Sequence, residues 1–325
     1  MRLFAYETPS SIDEATLQAE NRPTFLAGGT TLVDLMKLEV VTPGQVVDID
    51  QLPMRGIKLT SEGLRIGALE KMSDVAEHPD VIAHYPVISQ ALQKSASAQI
   101  RNMATMGGNL LQRTRCGFFR DVSTPCNKRQ PGSGCPAIDS WNRGFAILGT
   151  SSSCVATHPS DLAVALVALD ASIRLQSRNN ESVVKLDDFY LVPGGTPERE
   201  NQLNPGELIT EIRIPPLAWA QNSLYLKIRD RESYEFALSS VALALDVDAN
   251  TIRDARVAVG GVGTKPWNLP SVRAALIGKP LSQQTFEAAA KLATEGAKPL
   301  RHNGFKVELV QRTIVRALMN LGGIA

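Results

Sequence analysis

The chain lacks an excess of either charge: 34 lysines and arginines stand against 33 aspartates and glutamates, a formal net charge of +1. No basic surplus points to nucleic acid, an anionic membrane or a polyanionic substrate, so partners must be sought in sites rather than in overall charge. Long apolar runs are missing as well. The longest, around Leu162 to Leu169, is closely flanked by Asp161 and Asp170 and falls far short of the ~20 residues of a membrane-spanning helix, so no membrane insertion is expected. The start, Met1 to Glu7, has no basic region followed by an apolar stretch and a small-residue cleavage site. The chain is therefore expected to carry no export signal of its own, while export alongside a partner stays open. The dinucleotide fingerprint G-x-G-x-x-G is absent too, so any dinucleotide would bind on something other than the doubly wound nucleotide sheet.

What is present is a chain of 325 residues, 43% hydrophobic, long enough for two domains with real cores. Pro23 to Ala27 reads as a short buried strand, Gly28-Gly29 as a turn, and Thr30 to Val40 as a helix, with Leu32, Leu35, Met36 and Leu38 at helical spacing. Gln45 to Ile49 and Leu64 to Leu69 supply two more strands, completing a small mixed α/β lobe. A helical stretch from Val81 to Ala98 leads into a short extended piece and a second glycine turn, Gly107-Gly108-Asn109.

From Arg113 to Ser153 regular periodicity gives way to Gly, Pro, Ser, Arg and Cys, an irregular insertion that needs something besides a core to order it. Ser160 and Asp161 then sit where a helix N-cap belongs, and Ala171 to Gln176 resumes as a strand. Pro215-Pro216 marks a boundary. Beyond it, Leu224–Ile228, Ser239–Asp246 and Ala255–Val259 predict three strands, and helices follow from about Ser282.

Each glycine turn permits the close backbone approach that a diphosphate needs, with a helix N-terminus behind the first. Thr105 and Asn109 add side-chain donors at the second. Either turn alone more often just closes a bend; two together are able to grip one pyrophosphate from both sides. Cys116, Cys126, Cys135 and Cys154 are the only cysteines, all in the insertion or at its end. No C-x2-C pair or compact ferredoxin run occurs, so spacing leaves zinc, disulfides, an iron-sulfur cluster and plain buried thiols open. Pro125, Gly132, Gly134 and Pro136 place turns and free backbone N–H groups around the sulfurs, a setting that iron-sulfur clusters favour.

These residues carry a resemblance that covers nearly the whole chain. Leu26-Ala27-Gly28-Gly29-Thr30-Thr31-Leu32, Ile100-Arg101-Asn102 with Thr105-Met106-Gly107-Gly108-Asn109, Pro159-Ser160-Asp161-Leu162, and Pro205-Gly206-Glu207-Leu208-Ile209 before Ile212-Arg213-Ile214-Pro215 occur in order. Together with Tyr225-Leu226-Lys227 and Val259 to Pro266, they resemble the flavin subunits of the molybdenum hydroxylases, the family of xanthine dehydrogenase, carbon monoxide dehydrogenase and aldehyde oxidoreductases.

The resemblance implies an α+β fold with a two-lobed FAD-binding domain of the PCMH type over residues 1–215. Its lobes would be about 1–55 and 56–215, the latter with a cysteine-bearing insertion at about 113–154. A C-terminal α+β domain, 216–325, would follow with a three-stranded antiparallel sheet and helices. The two glycine turns would hold the FAD pyrophosphate and Asp161 the sugar-alcohol portion, which suits a carboxylate better than phosphate does. Lys227 would lie at the flavin's pyrimidine edge and favour the reduced form, and Ile209 would pack on the ring. Without the family, Asp161 reads as a helix-capping residue and Lys227 as a strand lysine facing solvent.

Some members of the family carry four cysteines in this insertion and bind a 4Fe-4S cluster, and the chain is similar to that branch; a narrower resemblance is to the bacterial periplasmic aldehyde oxidoreductases. The implied partners are a small 2Fe-2S subunit and a large molybdenum-cofactor subunit in a heterotrimer. An external small molecule or redox protein would take the electrons. The implied location is the periplasm, reached with a signal-bearing partner, with the cytoplasm as the alternative. No catalytic residue is assigned; His78, His84, His158 and His302 are scattered and read as structural. The rivals are a nucleotide-binding module braced by zinc and without redox chemistry, and a flavin oxidase that works without partners.

Overall fold

A computed structural model describes residues 1–17, 24–178 and 180–324. They form three sheets. The first is small and parallel: β1 (Ala5–Glu7), β2 (Thr24–Leu26) and β3 (Gln45–Asp48) lie in the order β1-β3-β2. Parallel neighbours need crossovers, and the helices Ile12–Leu17 and Leu32–Lys37 lie in the two connections. The expected strand from Pro23 to Ala27 survives as Thr24–Leu26, half-buried rather than buried, with Pro23 outside the described residues. The helix expected from Thr30 to Val40 is only Leu32–Lys37, because Thr31 serves as its N-cap and Glu39 turns to the left-handed region at φ 56°.

The second sheet is antiparallel, built from β4 (Ile57–Thr60), β5 (Gly63–Gly67), β6 (Ser172–Gln176), β7 (Glu181–Lys185) and β8 (Leu208–Ile214) in the order β4-β5-β8-β6-β7. Against it packs the helix Asp161–Ala168, buried at every position. A helix apolar all round is a core helix, which accounts for the longest apolar run in the sequence. Ser160 caps it, its Oγ accepting from the Ala163 N–H at 3.0 Å.

Two local expectations change here. The stretch from Val81 to Ala98 is two helices, Pro79–His84 and Pro86–Gln93, because Tyr85 before Pro86 leaves the helical region (φ −138°). The piece around Ile100 is a helix, Ala98–Met103, rather than extended, nucleated by Ser97 as N-cap to Ile100.

The third sheet has four antiparallel strands, not three: β9 (Ser223–Ile228), β10 (Ser239–Asp248), β11 (Thr251–Gly260) and β12 (Trp267–Asn268), ordered β12-β11-β10-β9. The extra strand is two residues long, too short to show an alternating pattern. Both faces of this sheet are covered. Val241, Leu243 and Leu245 pack against the helices Pro270–Leu276, Gln283–Lys291 and Phe305–Gly322, while Ala242 and Ala258 join the core beneath Asp161–Ala168. Small residues let that helix lie close. A Cβ on Gly260 would come within 2.5 Å of Val164 Cγ2.

The insertion carries only the short helix Gly117–Arg120 and one 3-10 turn, Pro136–Ile138. Ion pairs tie it to all three sheet-bearing parts. Arg120 meets Asp34 at 2.8 Å, Arg113 and Lys128 share Glu200, and Arg143 makes a two-pronged pair with Asp230 at 2.7 and 2.9 Å. Such planar pairing adds direction as well as energy. Among the described residues, no helix is long and apolar enough to cross a membrane.

Candidate cofactor-binding site

The first glycine turn touches the segment before the second. A Cβ on Gly28 would lie 2.0 Å from the Met103 carbonyl oxygen, so glycine there is a packing requirement that lets the two lobes meet. Gly29 takes φ 71°, which turns the chain toward the helix Leu32–Lys37. Among the described residues, no hydrogen-bond partner is found for the backbone N–H groups of Gly28, Gly29, Thr30 and Thr31. Four such donors gathered at a cavity are a ready cradle for anionic oxygens.

The second glycine pair differs from expectation. Gly107 and Gly108 lie in the first turn of a helix, Met106–Leu110, with Thr105 as its N-cap. Its amides are already engaged: Met106 donates to the Glu70 carbonyl (2.9 Å), Gly107 to Ala68 (2.8 Å), Gly108 to Thr105 Oγ1 (3.2 Å) and Asn109 to Thr105 (2.8 Å). The Asn109 side chain is spent as well, accepting from Ser160 Oγ at 2.6 Å and donating to Met72 Sδ at 3.2 Å. What this turn offers a ligand is room: a Cβ on Gly108 would meet only Thr105 Oγ1, at 2.8 Å.

Two connected cavities run from this junction. One, of about 290 Å³, is lined by Ala27, Gly28, Gly29, Thr30, Thr31, Leu32, Thr105, Gly107 and Gly108, with Phe25, Leu208 and Ile209 as apolar walls. The other, of about 580 Å³, shares Thr30, Thr31 and Gly108 and continues past Asn109 to Asp161 and Lys227. Leu26 lines neither; its carbonyl accepts from the Ile49 N–H at 2.8 Å and holds the strand end. Ile209 and Lys227, both expected beside the flavin ring, therefore line different cavities.

Strand alternation builds the far end. Tyr225 and Lys227, two apart on β9, point the same way, toward the N-terminus of Asp161–Ala168. Asp161 accepts from Tyr225 Oη at 2.6 Å, Lys227 Nζ at 2.8 Å and Ser95 Oγ at 3.2 Å. Burial, with Asp161 beside it, drives the Tyr225 phenol well above its ordinary pKa, so it stays a donor. Lys227 also donates to the Lys94 carbonyl at 3.0 Å, and its side chain is 1% exposed. It is thus a neutralised, buried cation and not a free ammonium.

Sequence reading passed over Ser95, Ala96, Arg115, Tyr234 and Phe236 in the larger cavity. Ala96 (φ 49°) and Tyr234 (φ 51°) both adopt the left-handed region, a strain that commonly collects at ligand sites. Neither carries a local signal, since alanine and tyrosine are unremarkable in any sequence.

The cysteines converge. Cys116, Cys126, Cys135 and Cys154 line one small cavity, and none is in a disulfide. Backbone N–H groups of Phe119 and Phe118 point at Cys116, those of Val155 and Ala137 at Cys135, and that of Ala156 at Cys154. Burial pushes the Cys116 thiol up to about 11 and raises Cys135 and Cys154 too, so without a cation these sulfurs stay protonated. Among the described residues, no three His, Cys, Asp or Glu side chains gather tightly enough to hold a single metal ion.

The histidines stay apart. His78 accepts from the Asp80 N–H, and His302 stacks on Trp141. His158, set edge-on to Tyr190, is pushed by burial down to about 4 and is neutral at pH 7.

A two-lobed α+β scaffold with an amide-lined turn between two cavities defines a protein that holds an extended, phosphate-bearing cofactor. Residues 2–217 match the FAD binding domain in molybdopterin dehydrogenase, and residues 224–321 the CO dehydrogenase flavoprotein C-terminal domain. The chain is 44% identical to the aldehyde oxidoreductase FAD-binding subunit PaoB of Escherichia coli K12, over 98% of each chain. It is 29% identical to the glyceraldehyde dehydrogenase medium chain of Sulfolobus acidocaldarius, over 97% of this chain and 96% of that one. Its fold is that of carbon monoxide dehydrogenase from Hydrogenophaga pseudoflava, with a TM-score of 0.77 at 24% identity, covering 99% of this chain and 98% of the other. The chain belongs to the FAD-binding subunits of the molybdenum hydroxylases, and so is a subunit of an oxidoreductase.

Proposed function

We propose that this chain is the FAD and 4Fe-4S subunit of a molybdenum-containing aldehyde oxidoreductase. In this reading it passes electrons from aldehyde oxidation to an external small molecule or redox protein. The observation that carries the FAD assignment is the pair of cavities joined at Thr30, Thr31 and Gly108, with unpaired amides at the joint. Those amides hold the pyrophosphate, and the absent Cβ of Gly108 leaves room for it. The apolar cavity with Phe25, Leu208 and Ile209 takes the adenine end, and the Asp161–Lys227 end takes the ribityl chain and ring. Under this assignment Ile209 serves the adenine and not the flavin.

FAD supplies the chemistry of taking up an electron pair and releasing it singly or together. The residues of this chain bind and orient. Asp161, held by three donors, presents its carboxylate oxygens in one fixed place for hydroxyl groups of the cofactor. Its charge is balanced by Lys227, so the pair sets position without adding net charge.

Four free thiols around one cavity, with amides aimed at three of them, suit a 4Fe-4S cluster as a donor set. The likeness to PaoB, an aldehyde oxidoreductase FAD-binding subunit, supports aldehyde as substrate, and the match to a molybdopterin dehydrogenase domain supports a molybdenum-bearing partner. In this reading the partners are a small 2Fe-2S subunit and a large molybdenum-cofactor subunit in a heterotrimer. A periplasmic home, reached with a signal-bearing partner, completes the reading; cytoplasmic assembly is its alternative.

The test is flavin, iron, zinc and acid-labile sulfide analysis of the chain co-purified with its neighbours, with electron paramagnetic resonance after reduction. FAD together with equal iron and sulfide, the latter two lost in Cys116→Ser, is the expected result. A colourless, zinc-containing protein would sink both cofactor assignments, and aldehyde turnover by this chain alone would sink the partner scheme.

A further inference from the structure

A third cavity, of about 350 Å³, lies between the other two sites. It shares Arg115, Asp161 and Phe236 with the flavin cavity, and Cys116 with the cysteine cavity. Arg115 and Cys116 are consecutive, so one peptide unit joins the two regions. The Arg115 guanidinium lies over the Phe236 ring, 5.5 Å from its centroid. Its Nη1 is buried and, among the described residues, has no hydrogen-bond partner.

Each carboxylate around it is committed elsewhere. Asp34 pairs with Arg120 at 2.8 Å, Asp161 with Lys227 at 2.8 Å, Asp230 with Arg143 at 2.7 Å and Glu235 with Arg231 at 3.5 Å. Among the described residues, Arg115 has no ion-pair partner. A largely buried cation that makes no ion pair is costly even with the Asp34 charge acting on it through space, and arginine stays charged in any accessible environment. Arg115 lines the Asp161–Lys227 end of the larger cavity as well as the third one, so a polar or anionic group seated there would lie within reach of its guanidinium.

Lys227 does not fill this role, since Asp161 neutralises it. We propose that Arg115 is the flavin-facing cation of this chain: its guanidinium donates to the polar edge of the isoalloxazine ring and stabilises the reduced form. This inference rests on the FAD reading above. Two electrons delivered from the partner's iron-sulfur clusters, with one proton from solvent, leave the reduced ring with one negative charge. A fixed guanidinium in a poorly solvated site favours that state and costs no reorganisation when the charge arrives. Its place beside Cys116 puts this charge next to the cysteine cavity as well.

The experiment is a spectroelectrochemical titration of the flavin in the whole complex, comparing the native protein with Arg115→Met and Arg115→Lys, alongside FAD and iron content. The expected result is a flavin midpoint potential shifted to more negative values in Arg115→Met, with FAD still bound, and a return toward the native potential in Arg115→Lys. An unchanged potential in Arg115→Met overturns the proposal, whether iron is lost (a bracing role for the insertion) or FAD and ADP binding weaken in parallel (a phosphate role). If Arg115→Met does not assemble, Arg115→Lys and Arg115→Gln decide: equal potentials in the two overturn it. Absence of FAD from the native complex would instead be a failure of the FAD reading.

Discussion

Lys227 and Asp161 form an ion pair of 2.8 Å between side chains only 1% and 7% exposed. The pair locks β9 of the C-terminal sheet to the first residue of the helix Asp161–Ala168, and so closes the far end of the larger cavity. Position, not free charge, is what this lysine contributes.

Removing one member should therefore cost more than removing both. Lys227→Met leaves Asp161 buried with only Tyr225 and Ser95 as donors and is expected to destabilise by about 3–5 kcal/mol, while Lys227→Met with Asp161→Asn recovers much of that loss. Denaturant unfolding of the purified protein measures both. A loss under about 1 kcal/mol in the single variant, the range of exposed pairs, would contradict the buried-pair account.

The two glycine turns separate packing from binding. Gly28→Ala drives a methyl into the Met103 carbonyl and should destabilise the chain by several kcal/mol, on the order of an overpacked core or more. Gly108→Ala meets only the Thr105 hydroxyl and should cost about 1 kcal/mol, the scale of a disturbed N-cap. Its FAD content should nevertheless fall sharply, because the methyl stands at the junction of the two cavities. Full FAD content in a folded Gly108→Ala would place the pyrophosphate elsewhere.

Lys306 makes stability depend on alkaline pH. It is fully buried, donates to the Gly144 and Gly261 carbonyls at 3.0 and 2.7 Å, and is pushed by burial down to about 7. An unfolded lysine titrates near ~10.4. Between these values the unfolded chain binds more protons, so this group makes stability rise with pH from about 7 toward 10, and below 7 its contribution is flat. Unfolding measured across that window should lose this upward component in Lys306→Met; an unaltered slope would show that Lys306 is not its source.

Glu200 anchors the insertion. Burial raises its carboxyl pKa, but Arg113 and Lys128 outweigh that and hold it below the ordinary range. Its contribution is thus present above the unfolded glutamate value and is lost as pH falls through the lower folded one. Glu200→Gln leaves both cations without their counter-charge and, with a quarter of that side chain exposed, should cost about 1–3 kcal/mol. Limited proteolysis should then cut within 113–154 faster than in the native protein. Equal cutting rates would assign the ordering of the insertion to other contacts.

Much was legible in the amino-acid sequence by itself, wherever the cause is local. Ser160 marks a helix start because its own side chain caps a nearby amide, and Gly29 marks a turn because its backbone reaches φ 71° without penalty. The long strands β10 and β11 show in their runs of apolar residues, and the convergence of four cysteines showed in their confinement to one irregular stretch. Only the tertiary structure decided what depends on partners far along the chain. The amides of the Gly107–Gly108 turn are consumed by Ala68, Glu70 and Thr105, Lys227 is neutralised by a carboxylate 66 residues away, and Arg115 makes no ion pair among the described residues. Whether a charge is free or paired is a property of the folded neighbourhood, because the Coulomb energy falls with distance in space and takes no account of distance along the chain.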